Sequence, residues 1–227
     1  MKTLIKFVMC LMMFSPVLAN DIYVTQSGNT LTFDVLQDGQ NNTIGSSGTP
    51  STVTGATTNM NIDQIGNSNV LTFDINGASY TGTFSTTGNS NDIDLKCDSG
   101  GSNSSCANVT ASIVWVGSSN DIDIDVGETS DATGATINIS GASGSDSNVV
   151  AGTIDGTSVI FTLSVNGDTN NFLVDIDGDG DSIGHTYIHT HTGSIADVDI
   201  TQSGIYDNMI TLTTSGDNHN IDIIQRD

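Results

Sequence analysis

The chain has very few basic residues, few prolines and few aromatic residues. Its 227 residues include four Lys and Arg against 26 Asp and Glu, a formal net charge of −22. A surface this acidic excludes nucleic acid and anionic membranes as electrostatic partners. There are two Pro and one Trp, and no segment shows an extended helical period. The chain is instead rich in Gly, Ser, Thr, Asn and Asp, a composition shared by turns and by disordered proteins, so only its pattern can decide between them.

Long apolar runs are confined to the first nineteen residues. Lys2 and Lys6 precede an apolar stretch that ends at Ala19. This order predicts a secretory signal peptide over residues 1–19, with residues 20–227 as one repeat domain. A membrane anchor is the alternative, but the apolar stretch is too short to span a bilayer. We therefore expect an exported, extracellular protein with no integral membrane segment after cleavage.

Apolar and polar residues alternate along the remainder of the chain. Ile200 is followed at the same parity by Gln202, and Ile223 by Gln225. A period of two indicates strands that bury one face, so these amides share the buried face. A buried amide is costly unless it is hydrogen-bonded, and identical amides stacked on successive strands satisfy one another. The pattern therefore predicts amide ladders inside a stack of strands.

The pattern recurs at intervals of roughly 22 to 29 residues, which is typical of repeat proteins. Five of the six Gln residues close an alternating run and an Asn opens the next, often three residues after a Gly that suits a tight corner. The predicted ladder residues are Gln26, Asn29, Gln37, Asn42, Gln64, Asn69, Asn91, Asn120, Asn170, Gln202, Asn208 and Gln225. We predict an all-β fold, a β-solenoid of seven or eight stacked two-strand coils, on the order of 35–40 Å long at about 4.8 Å per coil.

Irregular segments and acidic rows accompany the repeat. We expect four loop inserts to protrude at the corners: residues 46–58, 98–105, 127–135 and 178–184. Asp121, Asp123 and Asp125 alternate out of phase with the buried residues. Carboxylates stacked one coil apart repel and would limit uncontrolled edge-to-edge assembly. Bridging of these rows by divalent cations is the alternative.

Cys97 and Cys106 are the cysteines that remain after the predicted cleavage. In an exported chain this spacing predicts a disulfide that closes the segment between them. A catalytic thiol would need an electropositive setting, which this acidic chain does not offer.

An Asp-rich segment resembles the opening of an EF-hand-type calcium loop. Asp175, Asp177, Asp179 and Asp181 alternate with Ile and Gly residues, and oxygen ligands at this spacing suit a hard cation. Thr186 stands where that loop needs a bidentate Glu. We therefore consider a weak calcium site, with a simple acidic corner as the alternative.

Three histidines alternate in the segment that follows. His185, His189 and His191 share one parity, opposite to Ile188. As a strand, this segment would place three imidazoles on one outer face, at a spacing suited to zinc or copper. The alternative is a solvated polar face.

The sequence contains no pattern that indicates catalysis. Catalytic carboxylates need unequal burial to separate their pKa values, whereas the Asp residues of this chain alternate uniformly outward. We expect a protein that is not an enzyme and has no cofactor beyond weakly bound calcium.

The sequence motif at the corners resembles that of a known family. The motif Gln-x-Gly-x-x-Asn between alternating strands, from Gln37 to Asn42 and from Gln64 to Asn69, resembles the curlin repeat of curli amyloid subunits. The resemblance implies a secreted structural subunit that stacks into an amyloid-like fibre for biofilm matrix and surface adhesion. It also implies other curlin-like subunits, a nucleator and an outer-membrane secretion channel as partners.

Two other classes of function remain open. One is a monomeric, calcium-dependent adhesin or passenger-type solenoid whose inserts contact a ligand. The other is an ice-binding solenoid, which needs a flat face of regular Thr-x-Thr pairs. Such pairs occur at Thr81 and Thr83, Thr190 and Thr192, and Thr211 and Thr213. Their spacing along the sequence is not a constant coil length, so we rank ice binding lower.

Overall fold

The computed structural model describes residues 20–39, 41–45, 48, 50–66, 68–88, 91–97, 106–127, 132–142, 144–178, 184–204 and 208–226. The predicted signal peptide, residues 1–19, lies outside them. The regular elements of the described residues are all β-strands, and none of these residues belongs to a helix long and apolar enough to cross a membrane. The strands are β1 (Thr25–Ser27), β2 (Thr30–Asp38), β3 (Ser51–Thr54), β4 (Thr57–Ile65), β5 (Val70–Asn76), β6 (Ser79–Thr87), β7 (Asp92–Cys97), β8 (Asn108–Val116), β9 (Asp121–Val126), β10 (Gly134–Gly141), β11 (Val149–Asp155), β12 (Val159–Asn166), β13 (Asn171–Asp177), β14 (Thr186–Thr192), β15 (Asp197–Ser203), β16 (Met209–Ser215) and β17 (Asn220–Arg226).

These strands form two parallel sheets. The odd-numbered strands form a nine-stranded sheet in the order β1 to β17, which we call the odd sheet. The even-numbered strands form an eight-stranded sheet, the even sheet. Each strand inside a sheet pairs with the strands two before and two after it in the chain, so the chain alternates between the two sheets from one strand to the next. The predicted β-solenoid of stacked two-strand coils is confirmed, and its 17 described strands make eight and a half coils.

The core lies between the two sheets and is filled by the inward residues of every strand. Trp115, Tyr80 and Phe84 are among its fully buried side chains. The Trp115 ring fits because the neighbouring strand β10 supplies Gly141 at the same inward position. A Cβ on Gly141 would lie 2.4 Å from Cζ2 of Trp115. At this position the core is therefore packed by matching a large residue with a glycine one coil away.

The corners between strands have a recurrent backbone form. The first corner residue is often Gly, with a φ of 135° at Gly117 and 144° at Gly193. At five corners the third residue is left-handed although it is not Gly, with a φ of 60° at both Ser119 and Ile195. Successive corners also touch, since a Cβ on Gly66 would lie 1.8 Å from the carbonyl oxygen of Gly39. Small residues at the corner therefore let consecutive coils approach closely.

Two of the predicted loop inserts are shorter than the sequence suggested. Residues 46–58 contain β3 and the start of β4, and residues 127–135 contain the start of β10. The segment around β3 is ordered because it pairs on both sides, with β1 and with β5. Residues 98–105 and 179–183 of the other two inserts lie outside the described residues.

Candidate functional site

A glutamine ladder begins at the first coils of the even sheet. Gln37 and Gln64 occupy paired positions of β2 and β4 and are buried. Nε2 of Gln64 donates to Oε1 of Gln37 at 2.7 Å and to the carbonyl oxygen of Val70 at 3.1 Å. Nε2 of Gln37 donates to the carbonyl oxygens of Thr43 at 3.0 Å and Asn20 at 2.9 Å. Each amide therefore uses one hydrogen along the axis and one at its own corner.

A second glutamine pair closes the odd sheet at the other end of the rod. Nε2 of Gln225 lies 3.3 Å from Oε1 of Gln202 and donates to the carbonyl oxygen of Asn208 at 2.6 Å. Gln26 occupies the same column in β1 and is half-buried, next to Val53. Between these ends the column is apolar, so glutamine is concentrated near the two tips of the rod.

An asparagine ladder runs through the middle coils at the entrance to the odd strands. Asn91 donates to Oδ1 of Asn120 at 2.7 Å, Asn120 to Asn148 at 2.9 Å, and Asn148 to Asn170 at 2.9 Å. The backbone N–H of Asn91 also donates to Oδ1 of Asn120, at 3.0 Å. The second amide hydrogen of Asn120 goes to the carbonyl oxygen of Gly117 at 2.9 Å. All four amides are buried, and the predicted stacking of Asn and Gln side chains is confirmed.

Asn148 is a ladder residue that the Gly-Asn spacing of the other corners does not indicate. Ser145 stands where the other corners have Gly, and Gly152 interrupts the alternation that follows Asn148. The sequence signal that remains is that the apolar residues Val150 and Ile154 share the parity of Asn148. A search for Asn two residues before an alternating run, without the Gly requirement, would have found it.

The other predicted ladder residues differ in their environments. Asn42 is buried and its Nδ2 donates to the carbonyl oxygens of Gln37 and Ile65, both at 2.9 Å. Asn69 is also buried and likewise donates to backbone carbonyls. These two asparagines clamp corners instead of bonding to another amide. The expected burial of Asn29 and Gln225 is wrong: both side chains are exposed, because each lies in an outermost coil of the described residues.

Asn208 is half-buried near the other tip of the rod. Its Oδ1 accepts a hydrogen bond from the backbone N–H of His185 at 3.1 Å. Its Nδ2 lies 3.5 Å from the carbonyl oxygen of Arg226. Asn208 therefore ties the start of β16 to the coil beneath it and to the end of β17.

The histidines point inward, so the expected outer imidazole face is wrong. His185, His189 and His191 are fully buried, and Thr186, Thr190 and Thr192 take the outward positions. The parity is set by Tyr187, which stacks on the buried Phe161 of the neighbouring strand with 5.5 Å between ring centroids.

The buried imidazoles make polar contacts within the core. Nδ1 of His189 lies 3.2 Å from the Tyr187 hydroxyl, and Nε2 of His191 lies 2.8 Å from the Gly167 carbonyl oxygen. Burial lowers the pKa of His189 to about 3 and also lowers the pKa of His191. Within the described ranges, no three His, Cys, Asp or Glu side chains form a group able to hold a metal ion.

The candidate calcium residues fall in two groups. Asp175 and Asp177 lie on the outer face of β13, and the Asp177 carboxylate accepts from the Gly178 N–H and the Ser203 hydroxyl. These hydrogen bonds lower the pKa of Asp177. Asp179 and Asp181 lie outside the described residues. Asp177 is thus engaged in tying its own coil to the next one.

The centre of the odd sheet presents a dense acidic face. Asp121, Asp123 and Asp125 of β9 lie in register with outward residues of β7, and Nζ of Lys96 lies 3.1 Å from Asp125. Partial burial, followed by neighbouring carboxylates such as Asp125, raises the pKa of Asp123 to about 6. On the inner side of this region a disulfide joins Cys97 to Cys106, with Cα atoms 5.8 Å apart.

Both tips of the rod expose residues that are buried elsewhere. Ile221 and Ile223 of β17 are each 43% exposed, whereas Ile200, one coil below Ile223, is 2% exposed. At the opposite tip, Phe33 and Val35 of β2 are partly exposed although they face inward. β1, β2, β16 and β17 are also the edge strands of their sheets. Each tip of the described rod therefore exposes side chains of the same kind that form the core between the sheets.

Searches against protein-family models, curated proteins and solved structures found no match to this chain.

Proposed function

We propose that the protein is a structural subunit that stacks end to end into an extracellular amyloid-type fibre of the curlin kind. The observation that carries this proposal is the exposure of core side chains at both tips. Ile221, Ile223 and Phe33 face inward but are not covered by a further coil of the described residues. Edge strands with unpaired backbone groups and an apolar inner face are templates for another chain.

Stacking would be favoured by the same interactions that join the coils of one subunit. Covering the exposed part of Ile221 or Ile223 would contribute about 2 kcal/mol each at about 25 cal/mol per Å². The edge of β17 would gain main-chain hydrogen bonds along its length, and Oε1 of Gln225 would accept the next amide of the ladder.

The acidic outer face supports a fibre that grows at its tips. Rows of carboxylates on the odd sheet repel those of another rod, so broadside contact between two such faces is unfavourable. The proposal includes export by an outer-membrane channel, nucleation by a curlin-like partner, and a structural instead of catalytic role in biofilm matrix and adhesion.

The proposal is tested by incubating purified residues 20–227 and following thioflavin fluorescence and negative-stain images. The variant I221D/I223D places two carboxylates on the inner edge of β17 and should give a folded monomer without filaments. T162D/S164D adds the same charge to the exposed middle of the even sheet and should still form filaments. Filaments from I221D/I223D at the wild-type rate would refute assembly through this tip.

A second candidate function, ice binding, is favoured by the outer face of the even sheet. From β6 to β16 its outward positions carry no charged side chain in the described residues. Thr81, Thr110 and Thr136 lie in direct register, although the coils between them differ in length and concealed this in the sequence. Thermal hysteresis that is abolished by T110K/T136K and retained by T153K on the odd sheet would establish this function.

A further inference from the structure

The first and last coils of the rod are copies of each other with the sheets exchanged. Residues 20–38 build β1 of the odd sheet and then β2 of the even sheet. Residues 208–226 build β16 of the even sheet and then β17 of the odd sheet. The identical positions are Asn20 and Asn208, Ile22 and Ile210, Thr25 and Thr213, Ser27 and Ser215, Gly28 and Gly216, Asp34 and Asp222, and Gln37 and Gln225.

Hydrogen bonds show that this correspondence is structural. Nε2 of Gln37 donates to the carbonyl oxygen of Asn20 at 2.9 Å, and Nε2 of Gln225 donates to that of Asn208 at 2.6 Å. Nδ2 of Asn20 lies 3.5 Å from the carbonyl oxygen of Asp38, and Nδ2 of Asn208 lies 3.5 Å from that of Arg226. In position and in bonding, β1 therefore corresponds to β16, and β2 corresponds to β17.

The strand count leads to the same relation between neighbouring subunits. One sheet has nine strands and the other has eight. If every subunit kept the same orientation, one side of the fibre would gain nine strand spacings per subunit and the other side eight. The two sides of the fibre gain the same number of strands over every two subunits when the nine-stranded sheet of each subunit stacks on the eight-stranded sheet of the subunit before it.

Resting on the proposed end-to-end fibre, we propose that successive subunits are related by a half-turn about the fibre axis. β2 of the next copy then pairs with β17, and β1 of the next copy pairs with β16. The rise per subunit is about 41 Å, from an average of 8.5 strands at about 4.8 Å each, so the fibre repeats every two subunits.

The half-turn gives complementary contacts on the inner face of the joint. Gln225 meets Gln37 of the next copy, so Gln202, Gln225, Gln37 and Gln64 form one column of four amides across it. One Nε2 hydrogen of Gln37 exchanges a backbone carbonyl oxygen for Oε1 of Gln225 when the joint forms. The same orientation would instead place Gln225 on Gln26, whose neighbour in the column is Val53.

The outer face of the joint is matched as well. With the half-turn, Ile224 lies beside Leu36 of the next copy, and these outward aliphatic side chains are 38% and 67% exposed in the single subunit. Arg226, one of two basic residues in residues 20–227, lies beside Asp38. The same orientation would place Ile224 on Thr25 and Arg226 on Ser27, as the columns of the odd sheet continue.

Two double-cysteine variants of residues 20–227 distinguish the arrangements. Directly paired residues of parallel strands have Cα atoms about 4.8 Å apart, within the range of a disulfide. L36C/I224C should cross-link into covalent multimers after assembly and oxidation, in about tenfold excess over T25C/I224C. All three positions are exposed at strand surfaces, and thermal melts check that both variants fold.

The outcomes separate the half-turn from the fibre itself. Filaments in which T25C/I224C cross-links preferentially, or in which neither pair does, would overturn the half-turn and leave the fibre standing. Absence of filaments would overturn both proposals. Helical reconstruction of wild-type filaments provides an independent measurement: a rotation near 180° per subunit supports the half-turn, and a rotation near zero overturns it. Slow assembly of R226E that is restored by D38K/R226E would support the Arg226 contact.

Discussion

Replacement of Asn120 by Leu tests the central assumption that buried amides hold the coils together. The Asn120 side chain makes four hydrogen bonds, two as donor to Gly117 and Asn148 and two as acceptor from the backbone and side chain of Asn91. Leu has the same branched shape and number of heavy atoms but leaves the two Asn91 hydrogens and the Gly117 carbonyl without these partners. Each buried unsatisfied group costs about 1–3 kcal/mol, so the two buried Asn91 hydrogens alone lead us to expect a loss of about 2–6 kcal/mol in the free energy of unfolding.

This loss is large for a domain whose total stability is about 5–15 kcal/mol. Urea denaturation followed by far-UV circular dichroism should show a lower midpoint for N120L. The matched control is N138L, because Asn138 is on the exposed outer face of β10 and its replacement should change stability by less than about 0.5 kcal/mol. A midpoint for N120L within error of wild type, or equal effects of the two variants, would refute a stabilising role of the ladder.

Three further predictions concern the corner, the core and the response to pH. Ile195 is exposed with a φ of 60°, a conformation that β-branched residues adopt only under strain, so I195N should raise the melting temperature by an amount equivalent to about 1 kcal/mol. G141A should destabilise by about 1–3 kcal/mol, because the added Cβ lies 2.4 Å from the Trp115 ring, whereas G134A on the same strand meets nothing closer than 3.8 Å and serves as its control. Burial lowers the pKa of His189 to about 3 from an ordinary value near 6.5. As the pH falls, His189 therefore binds a proton in the unfolded chain before it does so in the folded chain. The part of the unfolding free energy that is present above about pH 6.5 is lost as the pH falls toward 3. The difference in unfolding free energy between H189L and wild type should therefore shift in favour of H189L by about 1.4 kcal/mol per pH unit between pH 6 and 4; a constant difference would show that His189 does not titrate with folding.

The strands were predictable because alternation records which face is buried, and in most of this chain only one parity is apolar. Ile221, Ile223 and Gln225 illustrate this, since their shared parity gave both the strand and the position of the amide. The existence of stacked coils followed from the need of each buried amide for an identical neighbour. The alternation pattern therefore predicted the architecture and most of the ladder residues.

The inward histidines were not predictable from their own segment. Around Tyr187, one parity holds imidazoles and a phenol, and the other holds Thr and Ile188, so neither is clearly apolar. The choice is made by Phe161 on the neighbouring strand, a contact that exists only after the coils are in register. Register itself depends on coil lengths that vary with each corner, which also concealed the alignment of Thr110 with Thr136.

The two kinds of ladder orient their amide groups in opposite directions along the rod. Gln64 donates toward the N-terminal tip, to Gln37, whereas Asn91 donates toward the C-terminal tip, to Asn120. Aligned amides add their electric moments, and opposed rows subtract them. The proposed filament would therefore accumulate little axial moment from its side chains as it lengthens, and a copy added late would meet nearly the same electrostatic environment as a copy added early.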